Sequence, residues 1–220
     1  MGAENARIAA VARGLHPEAL IRRVSVGPLV ASAPRMVRVS DPEQTATRAL
    51  ASTGTRLAHS RRVAARVQEA LPLVEPEWRA ALGAAAWLHD VGYSRIASAI
   101  GFHPLDGARW LRQDGWSDQV TRLVAWHTHS EKEAELRGLA PYDDEFPRPP
   151  EFVMAVLTWA DLTSTPGGFE CEPEDRLERI LNTYPVGSVV HEATRASRTL
   201  LMKDVALVRV ALETNVGQSS

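Results

Sequence analysis

Apolar residues recur at intervals of three and four along most of the chain, which is the spacing of amphipathic helices. Residues 43–71 are rich in Ala, Leu, Arg, Glu and Gln, all good helix formers, and prolines follow at 72 and 76. A second helix is predicted over 78–89, with Gly92 as the residue that ends it. Because no stretch sustains the alternation of a strand, we predict an all-α fold.

The second half of the chain continues this pattern. Pro104 suits a first helical turn and makes His103 a candidate N-cap, while Ser117 is predicted to begin a helix that carries His127 on its apolar face. Helices are also predicted over 105–111, 151–162, 172–182 and 187–213. Residues 138–150 are rich in proline and acidic side chains and are predicted to form a loop, either a plain connection or a lid.

The N-terminal residues differ from the rest. Residues 1–42 combine short apolar stretches with several arginines and with breaks at glycine and proline. We predict an irregular extension over 1–42, which either packs on the main domain or serves as a binding arm, and a helical domain over 43–215.

Composition and charge narrow the function classes. A chain of 220 residues is long enough for one domain with a sizeable core, and its net charge of −2 argues against long nucleic acids as partners. Cys171 is the single cysteine, which excludes an intrachain disulfide and a cysteine-rich zinc site. Without a long apolar run or a signal segment, no membrane partner is expected, and a cytoplasmic protein is predicted, with homodimerisation left open.

Polar residues on apolar helix faces are the candidate chemistry. Five of the seven histidines lie between positions 59 and 129, and an isolated aspartate follows inside an apolar run. A buried carboxylate is costly unless it is paired or binds a metal, and neutral imidazoles and carboxylates are common ligands of transition metals. The series therefore predicts a metal centre inside a helical core, built from His59, His89, Asp90, His103, His127 and Asp161.

The order His59, His89-Asp90, Asp161 resembles the HD superfamily of metal-dependent phosphohydrolases, which is named for its adjacent His-Asp pair. The resemblance extends over about residues 50–165, through the segments HSRRVAARV, AAWLHDVGY, HPLDGARWL, RLVAWHTHS and LTWADLTS. It implies an HD-type helical bundle. It also implies a phosphohydrolase that uses metal-activated water to cleave a phosphoester of a small metabolite or nucleotide.

The same resemblance assigns roles to the candidate ligands. One metal would be held by His59, His89, Asp90 and Asp161, and in members with histidines placed like His103 and His127 a second metal is bound, with the Asp of the pair as the bridge. The cofactor is then a divalent transition metal, as one or two ions. Mixed nitrogen and oxygen ligation favours Fe or Mn, with Zn, Co and Ni also possible.

Further residues are expected to support catalysis beside Asp90. A small phosphorylated substrate needs arginines, and Arg62 and Arg95 are the expected phosphate contacts, ahead of Arg66 and Arg109. Two residues keep two interpretations each. His129 either supports a ligand or substrate or lies on the surface, and Asp106 either accepts a hydrogen bond from a ligand imidazole or stabilises the first turn of its helix. Four tryptophans beside ligand positions are predicted to pack the core, with base stacking as an alternative: Trp87, Trp110, Trp126 and Trp159.

Two other functions remain open at this point. Some relatives with this ligand set are diiron oxygenases, and those that cleave carbon–phosphorus bonds carry a Tyr and a Glu shortly before the first histidine. Residues 51–56 of this chain contain neither. The third possibility is a non-catalytic domain that senses a ligand, although a complete ligand set argues against it.

Overall fold

A computed structural model describes residues 41–218, and the all-α prediction is confirmed for them. Within this range the chain forms nine α-helices: α1 (Pro42–Leu50), α2 (Arg56–Ala70), α3 (Pro76–Leu88), α4 (His103–Asp114), α5 (Asp118–Trp126), α6 (Glu131–Arg137), α7 (Glu151–Leu162), α8 (Pro173–Thr183) and α9 (Val189–Gln218). None of these helices combines the length and the apolar composition that crossing a membrane requires. The extension predicted over 1–42 lies almost wholly outside the described residues.

The prediction of one helix over residues 43–71 is wrong in one respect, because two helices, α1 and α2, lie in this segment. Helix α1 ends at Leu50, whose carbonyl accepts hydrogen bonds from the amide and the hydroxyl of Thr53 at 3.0 and 2.8 Å. Gly54 then adopts a φ of +65°, a conformation that turns the chain out of a helix. The polar segment between α1 and α2 therefore lets α2 start in a new direction at Arg56.

Helix α7 lies at the centre of the bundle. It packs against α2, α3, α8 and α9, and its residues are buried on nearly all sides, from Val153 to Leu162. Trp159 on this helix and Trp126 on α5 are 1% and 2% exposed, as predicted for core residues, while Trp87 and Trp110 pack at the margin of the core. Asp161 is thus carried by the most enclosed helix of the fold.

The prediction that Gly92 ends a helix is wrong. Helix α3 already ends at Leu88, and Gly92 lies in a 3-10 turn, Val91–Tyr93, that packs against α4. A Cβ atom at Gly92 would lie 1.9 Å from the carbonyl oxygen of His103 and 2.7 Å from the amide nitrogen of Gly107. Glycine is needed here because two backbone segments touch, and this contact sets the position of the start of α4.

The proline-rich loop over 138–150 packs against the body of the fold. Tyr142 and Phe146 are buried, and the Phe146 carbonyl accepts a hydrogen bond of 2.6 Å from the indole of Trp126. Arg109 on α4 forms a two-point ion pair with Glu145. These contacts tie the loop to α4 and α5.

Candidate metal centre

The structure brings the six predicted ligands together from separate elements. His59 lies on α2, His89 and Asp90 directly follow α3, His103 is the first residue of α4, His127 directly follows α5, and Asp161 lies near the end of α7. The ligand atoms form two groups, each within 4.8 Å: His59, His89 and Asp161 in one, and Asp90, His103 and His127 in the other. Each group could hold a metal ion.

Helix ends explain why adjacent residues can face one centre. Neighbours on a regular helix point about 100° apart, but α3 ends here: His89 keeps helical dihedral angles, whereas Asp90, with φ −95° and ψ 1°, leaves the helix. Their side chains then approach to 3.7 Å, between His89 Nε2 and Asp90 Oδ1. The same Asp90 oxygen lies 3.8 Å from His103 Nε2. Asp90 is therefore placed between the two groups.

The sequence pattern had predicted His127 on the apolar face of a helix. In the structure, His127 instead lies in a strained turn that follows α5. Its ψ of 145° leaves the helix, and the next two residues, Thr128 and His129, have φ values of +50° and +54°. This left-handed conformation costs non-glycine residues roughly 1–2 kcal/mol each. Such strain persists only where surrounding contacts fix it, and it is concentrated at functional sites.

Backbone carbonyl groups fix the tautomer of three of the histidines. Nδ1 of His59 lies 3.2 Å from the Thr165 oxygen, Nδ1 of His89 lies 3.0 Å from the Ala86 oxygen, and Nδ1 of His127 lies 2.7 Å from the Val124 oxygen. Because a carbonyl oxygen only accepts, Nδ1 of each ring must carry the hydrogen. When such a ring is neutral, Nε2 offers its lone pair, which is the form that binds a metal. At His59, Nε2 lies 2.9 Å from Asp161 Oδ1, and although burial would lower the pKa of His59, this hydrogen bond raises it, so a metal bound there would take the place of the Nε2 proton.

The fit of a metal to these residues can be tested on two contacts. His89 is fully buried, and its Nε2 atom has no hydrogen-bond partner among the described residues, which ordinarily costs about 1–3 kcal/mol. In the other group, Nε2 of His103 lies 3.1 Å from Nε2 of His127, a close approach of two nitrogen atoms. A cation at each group would give the Nε2 atoms of His89, His103 and His127 a partner that the described residues do not supply.

The charge states suit ligation. Burial lowers the pKa of His89 to about 4, despite the opposing charge of Asp90, so its ring is neutral at neutral pH. Burial, together with the neighbouring His127, also lowers the pKa of His103. Burial alone would raise the pKa of Asp161, but its hydrogen bond to His59, 2.9 Å from Oδ1 to Nε2, keeps that pKa below its usual value.

Arg56 is a site residue that the sequence analysis missed. Its guanidinium donates to Asp90 Oδ2 at 2.7 Å and lies 3.4 Å from the ring centre of Tyr93, which in turn stacks on His103 at 4.0 Å. Burial would raise the pKa of Asp90, but His89, which is protonated at the low pH where Asp90 titrates, and the permanent charge of Arg56 hold that pKa well below its usual value. Arg56 lies one helical turn before His59, a spacing that could have revealed it.

A cavity of about 320 Å³ opens onto the two groups. Five of the six candidate ligands line it, while His89 lies buried behind them. Helix α8 covers part of it with Arg176, Arg179, Ile180 and Thr183, residues at positions i, i+3, i+4 and i+7 of one helix face. From the sequence, only a helix over 172–182 had been predicted here, with no role at the site.

The structure does not bring the two favoured phosphate contacts into this cavity. Arg62 points away from it and pairs with Glu170 at 2.8 Å, and Arg95 is exposed outside the cavity lining. The other two candidates are also engaged elsewhere, since Arg66 pairs with Glu69 at 2.6 Å and Arg109 with Glu145. Closeness in sequence to a ligand did not place these side chains at the site, because Arg62, Arg66 and Arg109 pair with carboxylates elsewhere and Arg95 lies on an exposed turn.

The two residues with open interpretations have definite partners. Asp106 accepts hydrogen bonds from the amides of Ile100 and Gly101, at 2.9 and 3.0 Å, and so stabilises the segment before α4 rather than an imidazole. Nε2 of His129 lies 2.9 Å from Asp204 Oδ2 on α9. Neither the loop 138–150 nor a tryptophan lines the cavity.

Comparison of the chain with models of protein families, with curated proteins and with solved structures gave no match. Its function must be argued from the six residues and the cavity next to them.

Proposed function

We propose that this protein is an HD-type metal-dependent phosphohydrolase that holds two divalent transition-metal ions and hydrolyses a small phosphate ester. One observation carries the proposal. Three histidines, His59, His89 and His127, each donate Nδ1–H to a backbone carbonyl and turn Nε2 toward two carboxylates. A polar cluster built only to stabilise the fold would pair its buried nitrogens with the protein, whereas Nε2 of His89 is left without a partner.

The donor set indicates the kind of metal. Four imidazoles and two carboxylates form a mixed nitrogen and oxygen set, which suits Fe, Mn, Co, Ni or Zn better than Mg. We favour Fe or Mn. His59, His89 and Asp161 would hold one ion, His103 and His127 the other, and Asp90 would lie between them.

Metals in such sites lower the pKa of water and polarise a phosphoryl oxygen, which is the chemistry that ester hydrolysis needs. The chain's own residues supply position and charge. Arg56 holds Oδ2 of Asp90 and leaves Oδ1 facing His89 and His103. Burial lowers the pKa values of His89 and His103, so these two rings are neutral and do not repel a cation. The cavity admits the ester next to the ligands, and α8 covers it from one side.

Metal dependence and the ligand set are tested together. The purified protein is stripped with a chelator, reloaded with Mn²⁺ or with Fe²⁺ under nitrogen, and assayed against a panel of phosphate monoesters. We expect hydrolysis only in the loaded protein, and a loss of about 100-fold or more in kcat for Asp90→Asn and His103→Gln, since each change removes a residue that would hold a metal ion.

His191→Gln is the matched control, because His191 lies on α9 beside Glu192, away from the six candidate ligands. Full activity after complete removal of metal would contradict the proposal. Iron loading that produced O₂ consumption without ester hydrolysis would replace it with an oxygenase. Metal that raised only the thermal stability of the protein would leave a ligand-sensing domain.

A further inference from the structure

Helix α8 presents two arginines to the cavity, and neither forms an ion pair with a described carboxylate. Arg176 and Arg179 both line it, and neither guanidinium forms a hydrogen bond or an ion pair with another described residue. The Nε atom of Arg176 is buried without a partner. Most other arginines near the site are paired, Arg56 with Asp90 and Arg62 with Glu170. The two positive charges on α8 are thus available to a ligand.

These charges lie close to one of the two ligand groups. The charge of Arg176 acts on both His59 and Asp161, and Arg176 also lines a smaller neighbouring cavity that reaches His129 and Ser197. Arg179 lies one turn further along the same face of α8. A group bound between α8 and the ligands would therefore contact guanidinium N–H groups on one side and the candidate metal positions on the other.

The other residues that line the cavity indicate which chemical groups the ligand carries besides its phosphate. Glu133 and five threonines are part of the lining: Thr53, Thr55, Thr128, Thr183 and Thr194. The hydroxyls of Thr53, Thr183 and Thr194 donate to backbone carbonyls, so toward a ligand they can act as acceptors. The aromatic lining is restricted to Tyr93 and Tyr184, and the Tyr93 ring is covered by Arg56 on one side and by His103 on the other. At about 320 Å³ the cavity is near the lower end of the roughly 300–1,000 Å³ typical of ligand sites.

We propose that Arg176 and Arg179 bind the phosphate of a compact, hydroxyl-rich phosphate monoester, such as a polyol or sugar phosphate, rather than of a nucleotide. The hydrolysis of this ester rests on the proposed function, whereas the binding of its phosphate by the two arginines does not. Arginine pairs bind phosphate oxygens through parallel N–H contacts, and threonine hydroxyls and a carboxylate suit the hydroxyl groups of the substrate. Of the two tyrosines in the lining, Tyr93 is covered on both faces and offers a nucleobase no surface to stack on, which leaves Tyr184 alone for that role.

The experiment compares Arg176→Gln and Arg179→Gln with Arg61→Gln, an exposed arginine on α2 outside the cavity. Inorganic phosphate is titrated calorimetrically into each Mn²⁺-loaded protein after its metal content has been matched to that of the wild type. Since a hydrogen bond to a charged group contributes about 1.5–3 kcal/mol, we expect each cavity variant to bind phosphate about 10-fold to 100-fold more weakly. Arg61→Gln should match the wild type, and Arg176→Lys should recover part of the loss.

The same proteins are then assayed with glycerol 3-phosphate and with adenosine 5′-monophosphate. We expect a higher kcat/KM for the polyol phosphate, and a raised KM in both cavity variants. Unchanged phosphate affinity in both variants would overturn the inference even if esters were hydrolysed, and a higher kcat/KM for the nucleotide would overturn the substrate class. Arginine-dependent phosphate binding without hydrolysis of any ester would uphold the anion site and reject the proposed function.

Discussion

A histidine can offer either ring nitrogen to a metal, and at this site backbone carbonyls decide which one. The Nδ1 atoms of His59, His89 and His127 are each held by a carbonyl from their own or a neighbouring element. His103 is held differently, by stacking on Tyr93, whose other side faces Arg56. The orientation of the His103 ring is therefore fixed by side-chain packing, whereas hydrogen bonds fix the other three rings.

Tyr93→Ala tests this packing. Removing the ring frees both His103 and the guanidinium that orients Asp90, so we expect about 10-fold to 100-fold weaker metal binding, the usual effect of losing a group that orients a ligand. Tyr93→Phe keeps the ring and should bind metal as the wild type does. Calorimetric titration with Mn²⁺ measures both. Equal affinities for the Ala and Phe variants would assign the orientation of His103 to its backbone alone.

At the scale of elements, two short turns deliver ligands to the centre. The turn Val91–Tyr93 touches the start of α4 through Gly92, and in the turn His127–His129 both Thr128 and His129 have positive φ values. The second turn is tied to α9 by the contact between His129 and Asp204, whose side chains are 12% and 7% exposed. Each turn is fixed by a contact with a distant helix.

Gly92→Ala should displace the first turn. The new Cβ would meet backbone atoms of His103 and Gly107, which cannot move as a flexible side chain can, so we expect a loss of about 2–3 kcal/mol in the free energy of unfolding. Gly83→Ala is the control, because its Cβ meets only the Gln68 side chain at 3.9 Å within α3 and should stabilise the protein by up to about 1 kcal/mol. Urea denaturation reports both values, and a neutral Gly92→Ala would disprove the close contact.

The second turn carries a pH-dependent contribution to stability. Burial would lower the pKa of His129, but its bonds to Asp204 and Glu131 outweigh burial and raise that pKa to about 9. A raised pKa means that the contribution is complete below the unfolded value of about 6.5 and is lost as the pH rises to about 9. We expect Asp204→Asn to destabilise the metal-free protein by about 2–3 kcal/mol at pH 6 and by much less at pH 10. An equal loss at both pH values would show that no charged pair forms.

At the scale of the whole molecule, the sequence predicted the helices and the candidate ligands better than the cavity. Periodicity was sufficient for α7 because its apolar run is nearly unbroken, and it failed between α1 and α2, where a hydroxyl and a glycine end a helix inside a segment of good helix formers. Arg176 and Arg179 were missed because α8 reaches the site only through its packing on α7 and α9. A resemblance that ends near residue 165 contains no information about α8.

The central claim is a centre for two metal ions, and metal stoichiometry tests it most directly. The reloaded protein is desalted and its metal content measured by mass spectrometry, for the wild type, Asp161→Asn, His127→Gln and the control variant His191→Gln. We predict about two ions per chain for the wild type and for His191→Gln, and about one for each ligand variant, because each damages one of the two groups. No bound metal in the wild type, or a content unchanged by both ligand variants, would contradict the account.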